Sequence, residues 1–407
     1  MQTTYRIFSI VLYLLLSNHF SSVAQTEELK KLEVDSCSQK NESADTKLNK
    51  ESKTTNTWQK IDDTINQAIR EKKCPGAVLW VVHQDKIIYQ QAYGMGALQP
   101  KSAKMNLDAI FDLASLTKPL ATSPAIWKLI EQKRLRLEDP IAQYWPEFAA
   151  NGKAKITIAD CLLHRSGLTA DNPLSDYQEG KEKALEAIAK LKLESEPGST
   201  FKYSDVGYIV LGRIVEKISG ESLAVFTQKQ FYKPLQMNDT MFLPSASVKD
   251  RCLPTTKIKG RWLIGEVHDP RAQMMGGIAG HAGLFSTAHD IARFGQMILH
   301  EGELGGIRVF QKETVQKMLS PQKIGKNIRN YGWDIDTAYA SQRGTNFEKG
   351  KGFGHTGFTG TSLWIDQPSK TIVILLTHRV HPDEKGGVVP LRREIGTLVA
   401  QVVNEKK

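Results

Sequence analysis

A serine and a lysine three residues apart, Ser115 and Lys118, have the types and spacing needed for joint chemistry. On a helix this spacing puts both side chains on one face, about a turn apart. A serine hydroxyl is a weak nucleophile without a nearby base, and a lysine amine held in its neutral form is such a base. The pair therefore predicts nucleophilic catalysis by Ser115, although a helix-capping serine beside a solvated lysine fits the same spacing.

The Ser-x-x-Lys pattern occurs at two other places, Ser199/Lys202 and Ser320/Lys323. Both lie in turn-like or polar sequence, which favours surface loops. The first copy instead leads into residues 120–130, which are apolar enough for a buried helix. We expect that helix to begin at Ser115 and to tolerate Pro119 in its first turn, with Ser115 at the positive end of the helix dipole.

Strand-like segments occur on both sides of a mainly helical middle. The expected strands are Ala77–Val82, Ile87–Tyr93, Tyr331–Ile335, Thr361–Ile365 and Thr371–Leu376. The expected helices include Trp58–Ile69, Lys181–Leu193, Ser204–Ile218, His289–His300 and Pro390–Val403. The pattern predicts an α+β fold, with a mainly antiparallel sheet from both chain ends, flanking helices, and a helical lobe at about 119–300.

Length and composition favour one large domain, which we place at residues 56–405. The chain has 407 residues, of which 40% are hydrophobic and 24% charged, and a net charge of +10. No dense basic run alternates with aromatics, so a nucleic-acid partner is not expected. The glycine-dense segment Gly276–Gly283 lacks phosphate-loop spacing and predicts a close backbone approach or an active-site wall. We expect no cofactor, no metal and a monomer.

The first 24 residues have the pattern of a secretory signal peptide. Arg6 supplies the positive charge, Ile7–Leu16 the short apolar core, and Ser22–Ala24 the small-residue cleavage site. Residues 25–55 are polar and predict a flexible tether. No later segment has about 18 consecutive apolar residues, so the mature chain should not span a membrane. An exported protein, periplasmic or extracellular and in contact with the envelope, is expected; an uncleaved N-terminal anchor is the alternative.

Two later motifs bear on Ser115. Tyr203-Ser204-Asp205 precedes a helix, and a tyrosine there can act as a base if a cationic Lys118 lowers its pKa. An aromatic packing residue followed by an N-cap serine fits the same residues.

The other motif, His355-Thr356-Gly357-Phe358, precedes a strand. A strand edge there would bind substrate backbone, and the Phe358 N–H would join the Ser115 N–H in an oxyanion hole. A glycine-rich hairpin is the alternative.

In this order the three motifs resemble the serine beta-lactamase and penicillin-binding-protein superfamily, in its class C-like branch of beta-lactamases, DD-peptidases and esterases. The resemblance runs from about Trp58 to Val403. It implies that Ser115 attacks a carbonyl, that Lys118 and Tyr203 relay the proton, and that water then hydrolyses the acyl-enzyme. The oxyanion hole maps onto the Ser115 and Phe358 N–H groups, and the sheet-edge motif onto residues 355–357.

Two departures from that family pattern lie at residues expected to bind the substrate, Asp205 and His355. Asp205 replaces an asparagine, and a carboxylate only accepts hydrogen bonds and would repel a substrate carboxylate or pair with Lys118. An alternative register would align Ser204-Asp205-Val206 with a broken Ser-Asp-Asn motif. His355 replaces a lysine, and a neutral imidazole attracts a carboxylate less than an ammonium does.

The sequence therefore favours an exported serine hydrolase that acts on an ester, amide or cell-wall peptide. Both departures point away from efficient beta-lactam hydrolysis, towards an esterase or a peptidase of altered specificity. A true DD-carboxypeptidase or beta-lactamase is the alternative within the class. A non-catalytic protein that binds cell-wall peptide or beta-lactams is the alternative from another class.

Overall fold

The computed structural model describes residues 56–405, so the predicted signal peptide (1–24) and tether (25–55) lie outside the described residues. The described chain forms sixteen strands: β1 Gly76–His83, β2 Lys86–Ala97, β3 Ala103–Lys104, β4 Phe111–Asp112, β5 Met241–Phe242, β6 Pro254–Ile258, β7 Arg261–Ile264, β8 Leu284–Ser286, β9 Glu303–Leu304, β10 Ile307–Arg308, β11 Gln322–Ile324, β12 Asn327–Arg329, β13 Asp334–Asp336, β14 Gly352–Thr356, β15 Ser362–Asp366 and β16 Thr371–Thr377.

The same residues form eleven α-helices: α1 56–70, α2 Ser123–Glu131, α3 Ile141–Tyr144, α4 Ile158–Leu162, α5 Lys181–Ala189, α6 Asp205–Ser219, α7 Leu223–Thr227, α8 Pro270–Met274, α9 Ala288–Leu299, α10 Lys312–Met318 and α11 Val389–Glu405. Short 3₁₀-helices are Ala114–Leu116, Pro146–Ala149, Lys153–Lys155, Leu174–Tyr177, Ala246–Arg251 and Ser341–Arg343, and π-helices are Lys118–Thr122 and Gln228–Tyr232. None of the helices between residues 56 and 405 is both long and apolar enough to cross a membrane.

A nine-stranded antiparallel sheet brings the early and late strands together. Its order is β11-β12-β13-β14-β15-β16-β1-β2-β3. At its centre β1 pairs with β16, with Val78 opposite Leu376. Every residue of both strands is buried, as expected for short, continuous apolar runs. The predicted α+β architecture, with an antiparallel sheet built from both parts of the chain, is confirmed.

Helices α9 and α11 cover this central pair of strands. Helix α9 packs on β1 and β16, and α11 packs on β16. The fit of α9 is tight, because a Cβ atom at Gly295 would lie 2.9 Å from the Ile372 side chain. Helix α9 therefore packs closely against the centre of the sheet.

Helix α6 lies at the centre of the segment between the two sets of strands. It begins at an N-cap serine, since the Ser204 hydroxyl accepts the Gly207 N–H at 3.1 Å, and it ends at Gly220 in the left-handed conformation. Helices α2 and α4 pack against it. A Cβ atom at Gly280 would lie 1.9 Å from the Tyr208 carbonyl oxygen. The glycine-dense loop therefore approaches the α6 backbone closely, and the expected close backbone approach is confirmed.

Two local expectations differ from the structure. The helix expected to begin at Ser115 is a 3₁₀ turn, a π-helix and then α2, and Ser115 lies in the 3₁₀ turn. Pro119 and Pro124 each lack an N–H, so a regular ladder of α-helical hydrogen bonds cannot form there. The expected strand Tyr331–Ile335 begins only at Asp334, and residues 352–356, expected to precede a strand, themselves form β14.

Candidate active site

Ser115 directly follows a residue with an unusual backbone conformation. Ala114 has a φ of +46°, a left-handed value that residues other than glycine seldom adopt. The buried Asp112 carboxylate accepts the N–H of Ala114 at 2.8 Å and that of His268 at 2.6 Å. Burial raises the pKa of Asp112, and these two N–H groups oppose the rise. The carboxylate thus fixes the turn that presents Ser115.

The turn between β14 and β15 supports the same segment. The Thr359 hydroxyl donates to the Asp112 carbonyl at 2.7 Å, and the Thr361 hydroxyl donates to the Leu113 carbonyl at 3.1 Å. On its other side the segment is held by the small sheet β4-β8-β5. Ser115 is therefore positioned between the large sheet and the helical part of the chain.

Lys118 lies behind Ser115 and is fully buried. Its Nζ donates to Ser115 Oγ at 3.0 Å and to the His281 carbonyl at 3.1 Å, and lies 2.6 Å from Asp205 Oδ1. The Tyr203 hydroxyl also lies beside Lys118, so its nitrogen is surrounded by oxygens. This arrangement matches a cationic Lys118 paired with Asp205, where the sequence had suggested a neutral amine.

Ser115, Lys118, Tyr203 and Asp205 form a cluster, and the effects of its charges on pKa values oppose those of burial. Burial alone would lower the pKa of Lys118, but the negative charge of Asp205 and the hydrogen bonds to Asp205 and Tyr203 outweigh it and raise that pKa above its ordinary value. Burial raises the pKa of Tyr203, and Asp205 adds to the rise while Lys118 opposes it. Lys118 therefore rests as an ammonium and Tyr203 as a neutral phenol at neutral pH.

Tyr203 is held by aromatic contacts. Its ring lies 4.4 Å from the His164 ring and 5.1 Å from the Tyr339 ring, and Lys118 Nζ lies 4.9 Å from its centroid. His164 is buried and its Nδ1 accepts the Ser204 N–H at 3.1 Å. His164 is thus a neutral imidazole that fixes both the tyrosine ring and the start of α6.

The cluster opens into a cleft with two arms that meet at Ser115, Tyr203 and Phe358. The acidic arm, about 810 Å³ in volume, is also lined by the carboxylates Asp171, Asp205, Asp269, Asp383 and Glu384. The arginine arm, about 430 Å³, is also lined by His355, Thr356, Gly357, Arg379 and Arg392. In the part of the chain that the structure describes, no group of three His, Cys, Asp or Glu side chains is arranged to hold a metal ion.

The end of β14 forms one side of the arginine arm. Among residues 56–405, β13 pairs with β14 only at Asp334 opposite Gly354, so His355 and Thr356 lie beyond that pairing. His355 is 2% exposed, and its Nδ1 lies 2.9 Å from the Thr356 carbonyl. Burial lowers the pKa of His355 well below its ordinary value, and Lys118 acts in the same direction. The imidazole is therefore neutral at neutral pH.

Two arginines of this arm were missed by the sequence reasoning. Arg379 Nε donates to the Phe358 carbonyl at 2.7 Å, and its guanidinium lies 4.2 Å from the exposed Phe358 ring. Arg392 donates to the Gly357 carbonyl at 2.8 Å, and burial lowers its pKa only to about 9, so it stays charged at neutral pH. Neither arginine lies in a recognisable motif, and only the fold brings them to Ser115.

The structure gathers the residues predicted from the sequence around one cleft. Ser115, Lys118, Tyr203 and Asp205 form one contacting group, and residues 355–358 face it. The other two Ser-x-x-Lys pairs lack such surroundings: Ser199 donates to the Glu196 carbonyl at 2.6 Å, and Ser320 donates to the Lys317 carbonyl at 2.8 Å, both at the surface.

Comparison with known proteins places this geometry in a family. The family model described as Beta-lactamase matches residues 61–396. A Bacillus subtilis (strain 168) protein named "N-acetylmuramyl-L-alanine amidase" is 32% identical over 367 residues, covering 80% of this chain and 82% of the relative. An Escherichia coli (strain K12) protein named "Putative D-alanyl-D-alanine carboxypeptidase" is 32% identical over 357 residues, covering 79% of this chain and 82% of the relative.

A solved structure shares the fold. It is described as "EstCE1, a hydrolase with promiscuous acyltransferase activity", with a TM-score of 0.67 and 23% identity, and the match covers 84% of this chain and 99% of that one. At this identity the likeness shows the architecture alone. The family match and the two sequence relatives carry the assignment further: this chain belongs to the beta-lactamase family of serine hydrolases.

Proposed function

We propose that this chain is an exported serine hydrolase that forms an acyl-enzyme on Ser115 and acts on an ester, an amide or a cell-wall peptide. The observation that carries the proposal is the 3.0 Å contact between Ser115 Oγ and Lys118 Nζ, placed where the two arms of the cleft meet. A nucleophile needs both a proton acceptor and room for substrate on either side of the reacting carbonyl. Tyr203, which lies beside Ser115 and Lys118, is available as the acceptor, and the two arms of the cleft supply the room.

The proposed reaction has two steps. Ser115 Oγ bonds to the substrate carbonyl carbon and gives its proton to the Tyr203 and Lys118 pair, which passes it to the departing amine or alcohol as that bond breaks. Water then attacks the ester on Ser115, with Tyr203 as the favoured base. The N–H groups of Ser115 and Phe358 would receive the oxyanion; the Phe358 N–H has no hydrogen-bond partner among the described residues.

The relatives and the arginine arm both favour a substrate from the cell wall. The Bacillus subtilis relative is named for an amide of N-acetylmuramic acid with alanine, and the Escherichia coli relative for a peptide that ends in D-alanine. A carboxylate at such a peptide end needs a cation, which the neutral His355 does not provide. Arg379 would provide it, because its Nη2 has no hydrogen-bond partner among the described residues. Because Arg379 could bind a substrate carboxylate in this way, a DD-carboxypeptidase or beta-lactamase is the second candidate.

The test is a substrate panel with the purified chain and its Ser115→Ala variant. The panel contains a short-chain p-nitrophenyl ester, a peptide ending in D-Ala-D-Ala, an N-acetylmuramyl peptide and a fluorescent penicillin. We expect turnover of at least one of the first three, with loss of that turnover in Ser115→Ala. Ser199→Ala is the matched control, since it removes the surface copy of the same motif.

The pattern of products separates the candidates. Ester turnover without a penicillin adduct supports an esterase, and D-alanine release supports the carboxypeptidase. A stable adduct or bound peptide with no turnover supports the non-catalytic binding protein. Equal turnover by the chain and by Ser115→Ala would contradict the proposal.

A further inference from the structure

Asp205 is the residue at which this chain departs most clearly from the family pattern of Tyr-x-Asn. We propose that Asp205 is a positioning residue, which holds Lys118 as an ammonium and so leaves Tyr203 as the group that takes the Ser115 proton. The inference rests on the proposed function and deepens it. It also removes Asp205 from the set of substrate-binding residues in which the sequence had placed it.

The contacts of Lys118 indicate that its side chain is charged. Asp205 Oδ1 lies 2.6 Å from Lys118 Nζ, closer than Ser115 Oγ or the His281 carbonyl oxygen, and Lys118 itself is fully buried. A buried ammonium is costly unless it is paired and hydrogen-bonded. With an asparagine the cation would keep an acceptor but lose its counter-charge. The carboxylate is therefore what stabilises the charged form of this lysine.

Hydrogen bonds fix the backbone of Asp205 and so keep its side chain beside Lys118. Its N–H donates to the Ala170 carbonyl at 2.9 Å, and the neighbouring Ser204 hydroxyl donates to the Thr169 carbonyl at 2.6 Å. Asp205 is also the first residue of α6, where the helix dipole favours a negative charge. The side chain is 21% exposed, so it reaches the wall of the cleft while one oxygen stays on Lys118.

This ion pair decides which group can accept the Ser115 proton. An ammonium has no lone pair with which to accept the Ser115 proton. Tyr203 is the remaining base beside Ser115, and it accepts a proton only as a phenolate. Attack then forms the bond from Ser115 Oγ to the carbonyl carbon, moves the Ser115 proton to the phenolate oxygen, and returns that proton to the leaving group as its bond breaks.

Asp205 also sets the pH at which the phenolate appears. Its negative charge disfavours a second negative charge on Tyr203, whereas Lys118 favours it. Other titratable or charged groups face this cluster from the surrounding elements: His164, Asp171, Tyr208, His281, Arg329, Asp334 and His355. These groups are common to the native protein and to an Asp205→Asn variant, so the variant isolates the effect of one charge.

The variant Asp205→Asn should move the pH dependence towards acid. Without the carboxylate, the Tyr203 phenolate and a neutral Lys118 both become easier to form, so either base is available at lower pH. A nearby charge shifts a pKa by about 1–3 units. We therefore expect the rising limb of the rate to move down by about one pH unit or more, which makes the variant about tenfold faster well below the limb.

The experiment measures the second-order rate of Ser115 labelling by a fluorophosphonate, from about pH 6 to about pH 11, because the Tyr203 pKa lies above its ordinary value. Labelling forms the bond from Ser115 Oγ to phosphorus, releases fluoride and transfers the serine proton to the base. The full chain is compared with Asp205→Asn, with Asp205→Glu, which keeps the charge, and with Asp250→Asn, which removes an exposed carboxylate that does not line the cleft. We expect the acid shift in Asp205→Asn alone and a native-like limb in the two controls.

The outcomes test the role of Asp205 separately from the role of Ser115 as the nucleophile. An unmoved limb in Asp205→Asn, or an equal shift in Asp250→Asn, overturns the role of Asp205 but leaves Ser115 as the nucleophile. No labelling of the native chain at any pH overturns the proposed function itself. If Asp205→Asn does not fold, near-ultraviolet titration against Tyr203→Phe compares the Tyr203 pKa in the native chain with that in Asp205→Ser. A fall of about one unit or more in Asp205→Ser supports the inference, and an unchanged value overturns it.

Discussion

The Asp112 carboxylate and the Ala114 N–H are joined by a 2.8 Å hydrogen bond that spans the turn just before Ser115. Ala114 has a left-handed backbone, and the same carboxylate also accepts the His268 N–H. The nucleophile is therefore not simply the first residue of a helix. Its direction depends on a buried acid three residues earlier.

Replacing that acid should cost both stability and activity. Asp112→Ala leaves one buried and one half-buried N–H group without acceptors, which should lower the free energy of unfolding by about 2–4 kcal/mol. Release of the turn should lower kcat by about 100-fold, because a small displacement of a reacting group is costly. Denaturant unfolding and ester turnover measure the two effects. Asp250→Ala, at an exposed aspartate, is the control; equal effects from both variants would refute this role.

The Tyr203 hydroxyl should be essential to proton transfer. Tyr203→Phe keeps the ring that stacks on His164 and removes only the oxygen beside Ser115 and Lys118. We expect kcat to fall by about 100-fold to 10,000-fold, the range for general acid–base catalysis. Tyr339→Phe, which removes the hydroxyl of the other stacked tyrosine, should leave kcat within about twofold. Full activity in Tyr203→Phe would exclude the tyrosine as the base.

Arg379 should distinguish substrates by charge. Arg379→Ala should raise KM for a peptide with a terminal carboxylate by about tenfold, the loss of a charge-assisted hydrogen bond of about 1.5 kcal/mol, and should leave KM for a neutral ester unchanged. Arg393→Ala removes an exposed arginine of α11 that does not line the cleft, and should change neither value. An equal rise in KM for both substrates would mean that Arg379 shapes the cleft without binding the carboxylate.

Three buried histidines should make the protein sensitive to acid. Burial lowers the pKa of His378 to about 3 and lowers the pKa values of His164 and His355 well below their ordinary range. The unfolded chain takes up these protons near pH 6.5 but the folded chain does not, so stability is complete above that pH and is lost as the pH falls. Each histidine should contribute up to about 1.4 kcal/mol per pH unit to the free energy of unfolding.

Unfolding in denaturant at a series of pH values from about 7 down to about 5 measures this slope. His378→Gln should remove the share of one histidine from the slope, because the other two remain. A free energy of unfolding that does not change over this range would show that these side chains are protonated in the folded protein as well.

The sheet and the helix caps could be predicted from the sequence because their signals are local. The continuous apolar run that forms β16 predicts a buried strand, and Ser204 and Gly220 mark the start and end of α6. The break of the Ser115 helix into 3₁₀, π and α turns was not predicted. Proline shows that a helix is disturbed but not which hydrogen bonds replace the lost ones.

The candidate site was predicted in its residues but not in its charges. The motifs point to Ser115, Lys118 and Tyr203, yet the state of Lys118 depends on its 2.6 Å distance to Asp205, far along the chain. Burial and the sum of nearby charges decide a pKa, and neither can be read from spacing. Arg379 was missed for the same reason, since only the turn after β16 brings it to Phe358.

The most direct test of the account is the location of the covalent adduct. The full chain is treated with a fluorophosphonate, digested, and mapped by mass spectrometry, beside Ser115→Ala, Ser199→Ala and Ser320→Ala. We expect one adduct, on the peptide that contains Ser115, absent from Ser115→Ala and unchanged in the other two variants. An adduct on another residue, or one that persists in Ser115→Ala, would contradict it.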